Sequence, residues 1–233
     1  MKYKAIIFDL SDTLIEYTPN FSQIYSERVG SLGFDITEEM AKELSKLINW
    51  KISEQVLKEQ LHNERRITEN ELNELLDKTA LEYVTNNKFD SDMLLRLVKI
   101  PLPKQEMKLI SNVFEVLDFL KGKYRLAIVS NHYKWMKAYL NDLGISQYFD
   151  SIIISEIVGV AKPHIGIMEI ALNELKLDAK DCLYVGDQPI DVLCSKQIGM
   201  DCAWISNNVE LPDYIQFNED YKISSVNELV NIL

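Results

Sequence analysis

Glycine and proline are missing from the middle of this chain: none of the 8 glycines lies between Gly33 and Gly122, and none of the 6 prolines between Pro19 and Pro101. A stretch without turn chemistry cannot be a series of short strands and tight loops, so a β-rich centre is excluded. Cysteine is scarce too. Cys182, Cys194 and Cys202 cannot all pair and none sits in a C-x-x-C, which speaks against a disulfide scaffold, a redox couple or a zinc site. They read as small apolar core residues in a reducing, cytoplasmic setting. Positive charge is in deficit, with 25 Lys plus Arg against 36 Asp plus Glu and a formal net charge of -11. No basic run is present to track a phosphate backbone, so no nucleic-acid partner is expected. No apolar stretch approaches the ~20 residues of a membrane span, and the first, Ala5-Ile6-Ile7-Phe8, stops at Asp9, too short for a signal peptide. No membrane partner is expected either.

What is present is enough apolar material for a large core: 233 residues, 47% of them hydrophobic. The turn-poor middle is rich in Glu, Lys, Leu, Ile and Asn at helical period, as in Met40, Leu44, Leu47, Ile48, Ile52 and Val56, and predicts a module of about four helices. Thr37 and Thr68 are candidate N-caps, and Thr68 has Glu71 three residues on, the capping-box pattern. The flanks differ. Short apolar runs (Ala5 to Phe8, Leu126 to Val129, Ile152 to Ile154, Leu183 to Val185, Ala203 to Ile205) alternate with helical segments near 111–122, 132–143, 164–176 and 189–199. Such alternation predicts an α/β layered fold with parallel strands covered on both faces. The first strand stands more than a hundred residues from the next, so the helical module is an insertion, and Ile100-Pro101-Leu102-Pro103 is the candidate return linker.

In an open parallel sheet, ligands sit at the carboxyl ends of the strands. The residues there are Asp9-Leu10-Ser11-Asp12-Thr13-Leu14, then Ser130-Asn131, then Ala161-Lys162-Pro163 ahead of a helix, then Gly186-Asp187-Gln188-Pro189-Ile190-Asp191. Singly, each has an ordinary structural use. Asp9 can be a turn residue, Asp187 a helix N-cap, Asp191 a first-turn acid, Ser130 a cap and Lys162 a solvated lysine. Together they form a convergent polar set of the kind that carries chemistry. His62 and His164 read as structural or surface residues, whereas His132 is singled out by following Ser130-Asn131.

These four segments, in this order and spacing, resemble the haloacid dehalogenase-like (HAD) hydrolase superfamily. Asp9, Thr13 and Leu14 fit its first motif, Ser130 its second, Lys162-Pro163 its third, and Gly186, Asp187 and Asp191 its fourth. The resemblance implies a Rossmann-like three-layer core with a parallel sheet from residues 1–14 and 106–233, plus an inserted all-α cap domain from residues 15–105 that closes over the cleft. It implies a phosphatase acting on a small phosphorylated metabolite. Asp9 is then the nucleophile that forms an aspartyl-phosphate. Mg²⁺ is held by Asp9, the Ser11 carbonyl and Asp187, with Asp191 nearby. Ser130 and the Asn131 amide receive phosphate oxygens, and Lys162 bridges phosphate and Asp9. The chemistry is coherent, since a carboxylate can attack phosphorus only where the substrate's negative charge is neutralised.

One departure stands out. Where the family's phosphatases carry an acid/base aspartate two residues after the nucleophile, this chain has Ser11, and the next position, usually glycine, is Asp12. General acid–base catalysis supplies about 10² to 10⁴ in rate, so the expectation is a slow enzyme unless Asp12 or a cap residue stands in. Phosphonate or carbon–halogen cleavage, which do not use that residue, and a non-catalytic phosphate-binding protein are the alternatives. Among the insertion's lysines, Lys42, Lys46, Lys51 and Lys58 are the candidates a phosphonatase would need.

Overall fold

The computed structural model describes residues 2–61, 67–206, 211 and 215–233. The chain divides into two compact units, one from Met1–Glu16 and Met107–Leu233, the other from Tyr17–Glu106. His62 lies outside the described residues.

The first unit is built on β1 (Ala5–Phe8), β4 (Arg125–Ser130), β5 (Ser151–Ile154), β6 (Cys182–Gly186), β7 (Asp201–Ile205) and β8 (Tyr221–Ile223). They form one sheet in the order β5-β4-β1-β6-β7-β8, parallel throughout. Five of the strands match the apolar runs. The sixth, β8, was not foreseen, because Tyr221-Lys222-Ile223 buries only its isoleucine and carries no alternating or continuous apolar signal. Helices α5 (Val113–Leu120), α6 (Met136–Asp142), α7 (Ser155–Val158), α8 (Gly166–Leu175), α9 (Pro189–Gln197) and α10 (Leu229–Ile232) belong to the same unit. Val113, Val116, Leu117 and Leu120 of α5 pack on Ile6, Phe8, Leu126 and Ile128 in the main core, each such side chain contributing ~1.5–3 kcal/mol of burial.

β1 sits in the middle, with Phe8 opposite Ile128 on one side and Val185 on the other. The chain leaves β1 towards β4 and β5, then returns to its far side for β6, β7 and β8. The carboxyl end of β1 is therefore the switch point where a crevice opens. One helix starts later than its sequence pattern predicts. The segment expected from 132 becomes α-helical only at Met136, because the Tyr133 amide donates to His132 Nδ1 (2.8 Å) and the Lys134 amide to Glu156 Oε2 (2.5 Å).

Among its described residues the second unit contains four helices, α1 (Phe21–Gly30), α2 (Glu38–Leu61), α3 (Glu69–Thr85) and α4 (Ser91–Val98). Thr68 makes its capping box with Glu71, and Thr37 accepts the Met40 amide at 3.2 Å. Strands β2 (Ile15–Thr18) and β3 (Glu106–Leu109) pair with each other and carry the chain out and back. The helices close on Ile24, Tyr25, Val29, Leu44, Ile48, Leu76, Ala80, Leu81 and Leu97. Inside this core lies an ion pair. Arg28 Nη1 and Nη2 fork onto the two oxygens of Asp77, and Nη2 also donates to the carbonyls of Leu97 (2.9 Å) and Ile100 (3.1 Å). Removing one partner strands the other charge. Asp77→Ala is expected to destabilise the helical unit by about 3–5 kcal/mol, whereas the paired replacement Arg28→Met with Asp77→Leu costs much less. Urea unfolding of the three variants checks this, and an Asp77→Ala midpoint equal to wild type would contradict it.

Among the described residues, no helix is long and apolar enough to cross a membrane. The three cysteines are free and buried.

Candidate active site

Asp9 follows β1, and its amide continues the ladder by donating to Val185 O at 2.9 Å, which fixes it at the strand tip. The chain then turns tightly. Leu10 O accepts the amides of Thr13 (3.2 Å), Leu14 (2.8 Å) and Ile15 (2.9 Å), and the Asp12 amide closes the turn on Ile15 O (2.7 Å). The turn places Asp12 at a φ of +55°, in the left-handed region. Glycine would adopt it freely, and Asp is among the few other types that tolerate it. Leu10 and Leu14 are fully buried and pin the loop.

On the neighbouring strand, β4 ends at the buried Ser130, and Asn131 braces a distant segment. Its side chain accepts the Lys162 amide (2.7 Å) and donates to Lys162 O (2.8 Å). This two-point contact sets where the lysine leaves the backbone. On the other side, β6 ends at Gly186, followed by Asp187 and Gln188, with Pro189 opening α9. Gln188, not Asp187, is the N-cap residue, and its amide donates to Asp191 Oδ2 at 2.9 Å. The carboxylate in the first turn thus satisfies an amide at the helix start. Gly186 makes room for it. A Cβ there would come within 2.8 Å of Asp191 Cβ and collide with the carboxylate itself.

Lys162 is the hub of the site. Its ammonium, 2% exposed, donates to Asp9 Oδ1 (2.7 Å), Asp191 Oδ1 (2.6 Å) and Tyr184 Oη (2.9 Å). Three protons meet three acceptors. Burial alone would lower its pKa, but Asp191 and Asp9 outweigh burial and hold it above the ordinary lysine value. Tyr184 in turn donates to Val129 O at 2.9 Å, so the lysine is tied to the strand that ends in Ser130.

Beside the two carboxylates that hold this cation, Asp9 and Asp191, stand Asp187 and Asp12. Asp187 accepts from Thr13 Oγ1 (3.4 Å) and Gln188 Nε2 (2.7 Å), and its carbonyl takes the Trp204 indole N–H (2.9 Å). Burial, then the charges of Asp12, Asp9 and Asp191, push its pKa well above the usual carboxylate range. Asp191 is raised by burial, with Lys162 opposing. Asp12 is pushed up to about 6 by burial, Asp9 and Glu16. Among the described residues, Lys162 pairs with Asp9 and Asp191 only, so the buried Asp187 adds negative charge that this ammonium does not contact. Asp9, Asp187 and Asp191 each offer an oxygen within 4.8 Å of the others. Hard oxygen donors in uncompensated excess suit a divalent cation, and this buried triad could bind one.

Next to Asn131, His132 accepts the Tyr133 amide on Nδ1, so in the neutral ring the proton sits on Nε2. Burial lowers its pKa, with Asp9 opposing. Sequence reasoning missed Tyr184 and the site role of Gln188. A tyrosine in the middle of an otherwise apolar strand was the available signal for the first.

A doubly wound parallel sheet whose central strand tips gather aspartates around a buried lysine defines an α/β protein with a carboxylate site suited to a metal ion. The chain belongs to the haloacid dehalogenase-like hydrolase family, whose model matches residues 6–205. It is 31% identical over 109 residues to "Haloacid dehalogenase-like hydrolase domain-containing protein 3" of Xenopus laevis, a match spanning 46% of this chain and 44% of that protein. It is 30% identical over 218 residues to "Glyceraldehyde 3-phosphate phosphatase" of Methanothermobacter thermautotrophicus, covering 88% of this chain and 87% of that one. In structure it is similar to a HAD phosphatase from Thermococcus onnurineus, with a TM-score of 0.59 at 23% identity over 98% of this chain and 97% of the other.

Proposed function

We propose that this chain is a Mg²⁺-dependent phosphate monoester hydrolase working through an aspartyl-phosphate on Asp9, on small phosphorylated metabolites in the cytoplasm. The observation that carries this reading is the Lys162 ammonium held between Asp9 and Asp191 beside Asp187, which fixes the Asp9 carboxylate at the strand-end crevice. The 30% identity to a named phosphatase over most of both chains supports the phosphate chemistry. Buried free thiols accord with a reducing compartment.

Asp9, Asp187 and the Ser11 carbonyl would hold Mg²⁺, with Asp191 behind them. The metal would supply charge neutralisation for the phosphoryl oxygens. Ser130 Oγ and the Asn131 amide bind phosphate oxygens at the tip of β4. Lys162 exchanges its Tyr184 bond for a phosphate oxygen while staying on Asp9 and Asp191. One Asp9 oxygen attacks phosphorus and the bond to the leaving oxygen breaks, giving an alcohol once that oxygen takes a proton. Water then attacks the phosphoryl group and restores Asp9. Both proton transfers fall to Asp12, an imperfect substitute for the carboxyl absent at Ser11. The helical unit acts as the cap. Its lysines Lys42, Lys46, Lys51 and Lys58 are ion-paired with Glu38, Glu43 and Glu54 of the same helix at 2.6–2.8 Å.

Rapid-quench kinetics with an aryl phosphate test the reading. The expected result is a burst of phenol stoichiometric with enzyme, slow turnover after it, and loss of the burst on chelation. Ser11→Asp should raise the steady-state rate roughly 10- to 100-fold, within the range of general acid–base catalysis. Metal-independent turnover, or no acceleration by Ser11→Asp, would sink it.

A further inference from the structure

Strand β6 reads Cys-Leu-Tyr-Val-Gly and is buried along its whole length, with Tyr184 set between Ile7 of β1 and Cys202 of β7. A phenylalanine would fill the same space, so packing alone does not ask for a hydroxyl. Its partners show what the hydroxyl does. Tyr184 Oη reaches past β1 to donate to Val129 O of β4 at 2.9 Å, and accepts a hydrogen bond from the Lys162 ammonium at 2.9 Å. Asp191 Oδ1, at 3.3 Å, is the more distant of the two acceptors open to its proton. With the proton on Val129 O, a lone pair faces Lys162.

The three bonds of the ammonium are unequal. Those to Asp9 Oδ1 (2.7 Å) and Asp191 Oδ1 (2.6 Å) join opposite charges, whereas the one to Tyr184 is longer and ends on a neutral oxygen. Burial and the charges of Asp191 and Asp9 keep that phenol protonated. The tyrosine bond is therefore the one that yields when a further anion approaches. Its release orphans no buried donor, because the Tyr184 hydroxyl stays on Val129 O. We propose that Tyr184 is a positioning residue acting through Lys162: its hydroxyl holds the third ammonium hydrogen bond in the absence of phosphate, competes with the phosphate oxygen for it, and takes it back as phosphate leaves. No proton changes owner in this exchange; one N–H swaps acceptors. The inference rests on the hydrolase reading for the contact between Lys162 and phosphate, and adds that Tyr184 sets how tightly the phosphate product is held.

Tyr184→Phe keeps the ring and removes the hydroxyl, so its effect on phosphate has the sign opposite to damage. In isothermal titration calorimetry with Mg²⁺ present, inorganic phosphate should bind the variant about 10-fold more tightly than wild type, since one hydrogen bond to a charged group is no longer given up on binding. Mg²⁺ alone, which uses none of the Lys162 protons, should bind both proteins equally. The phosphate-free variant should melt below wild type, and phosphate should raise its melting temperature by more. A purely structural defect would weaken phosphate and Mg²⁺ together; a gain shared by both ligands would also count against the exchange. The aryl phosphate burst of the wild type keeps the two readings apart. A burst, with phosphate affinity unchanged or weakened in Tyr184→Phe, overturns the role of Tyr184 and leaves the hydrolase reading standing. Tighter phosphate in the variant without a wild-type burst supports the role of Tyr184 and counts against hydrolysis. No burst, and no phosphate binding by either protein, overturns both.

Discussion

Asp9→Asn is expected to lower kcat by at least about 10⁴-fold, because a neutral amide cannot attack phosphorus and no second nucleophile is in place to replace it. The same change should leave the melting temperature of the metal-free protein unchanged or raised. Asp9 shares the Lys162 ammonium with Asp191, and its charge is among those that push Asp187 and Asp12 upward. Neutralising it relieves that repulsion, while Lys162 keeps Asp191 and Tyr184 as acceptors. Mg²⁺ should accordingly stabilise the variant less than the wild type, since one of its oxygen donors is weakened. Steady-state assays on an aryl phosphate beside thermal melts with and without Mg²⁺ separate the two effects. Retained activity would remove Asp9 from the chemistry, and a collapsed melting temperature would mean its role is structural.

How much of this was legible follows from where the signals are local. The five strands buried on both faces announce themselves as apolar runs, and the absence of Gly and Pro over the inserted helices is equally local. The residues at the strand tips could be located because a parallel sheet exposes only its carboxyl ends to ligands, and the structure does bring Asp9, Lys162, Asp187 and Asp191 together. What stayed hidden depends on contacts distant in sequence. Strand β8 has a single buried side chain and exists because β7 offers it an edge. Asn131 was noticed for its amide, but its side chain is spent on the backbone of Lys162, 31 residues away. Arg28 and Asp77 stand 49 residues apart with no local signal linking them; only tertiary packing pairs and buries them. The late start of α6 depends on Glu156 capturing the Lys134 amide, again a partner that no helical pattern announces.

Lys162→Met should damage stability and catalysis at once, which sets it apart from Asp9→Asn. The methionine keeps an unbranched apolar side chain but donates no protons, so Asp9 and Asp191, 5% and 0% exposed, lose their counterion. Removing one member of a buried, hydrogen-bonded charge group costs about 3–5 kcal/mol, because what remains is an uncompensated buried charge. The proton on Tyr184 stays with Val129 O, and Asp191 Oδ2 keeps the Gln188 amide, so the damage is electrostatic rather than a general loosening. This makes the defect specifically correctable. Mg²⁺ at saturating concentration should recover part of the lost melting temperature by restoring positive charge beside Asp9 and Asp187, but it cannot restore the donor that holds Asp9 in line, and kcat should stay at least about 10³-fold down. Adding Asp191→Asn should recover stability without metal, since it removes one of the two orphaned charges. A Lys162→Met protein that melts with the wild type, or that regains full activity on metal addition, would show that the ammonium neither pins Asp9 nor balances the cluster.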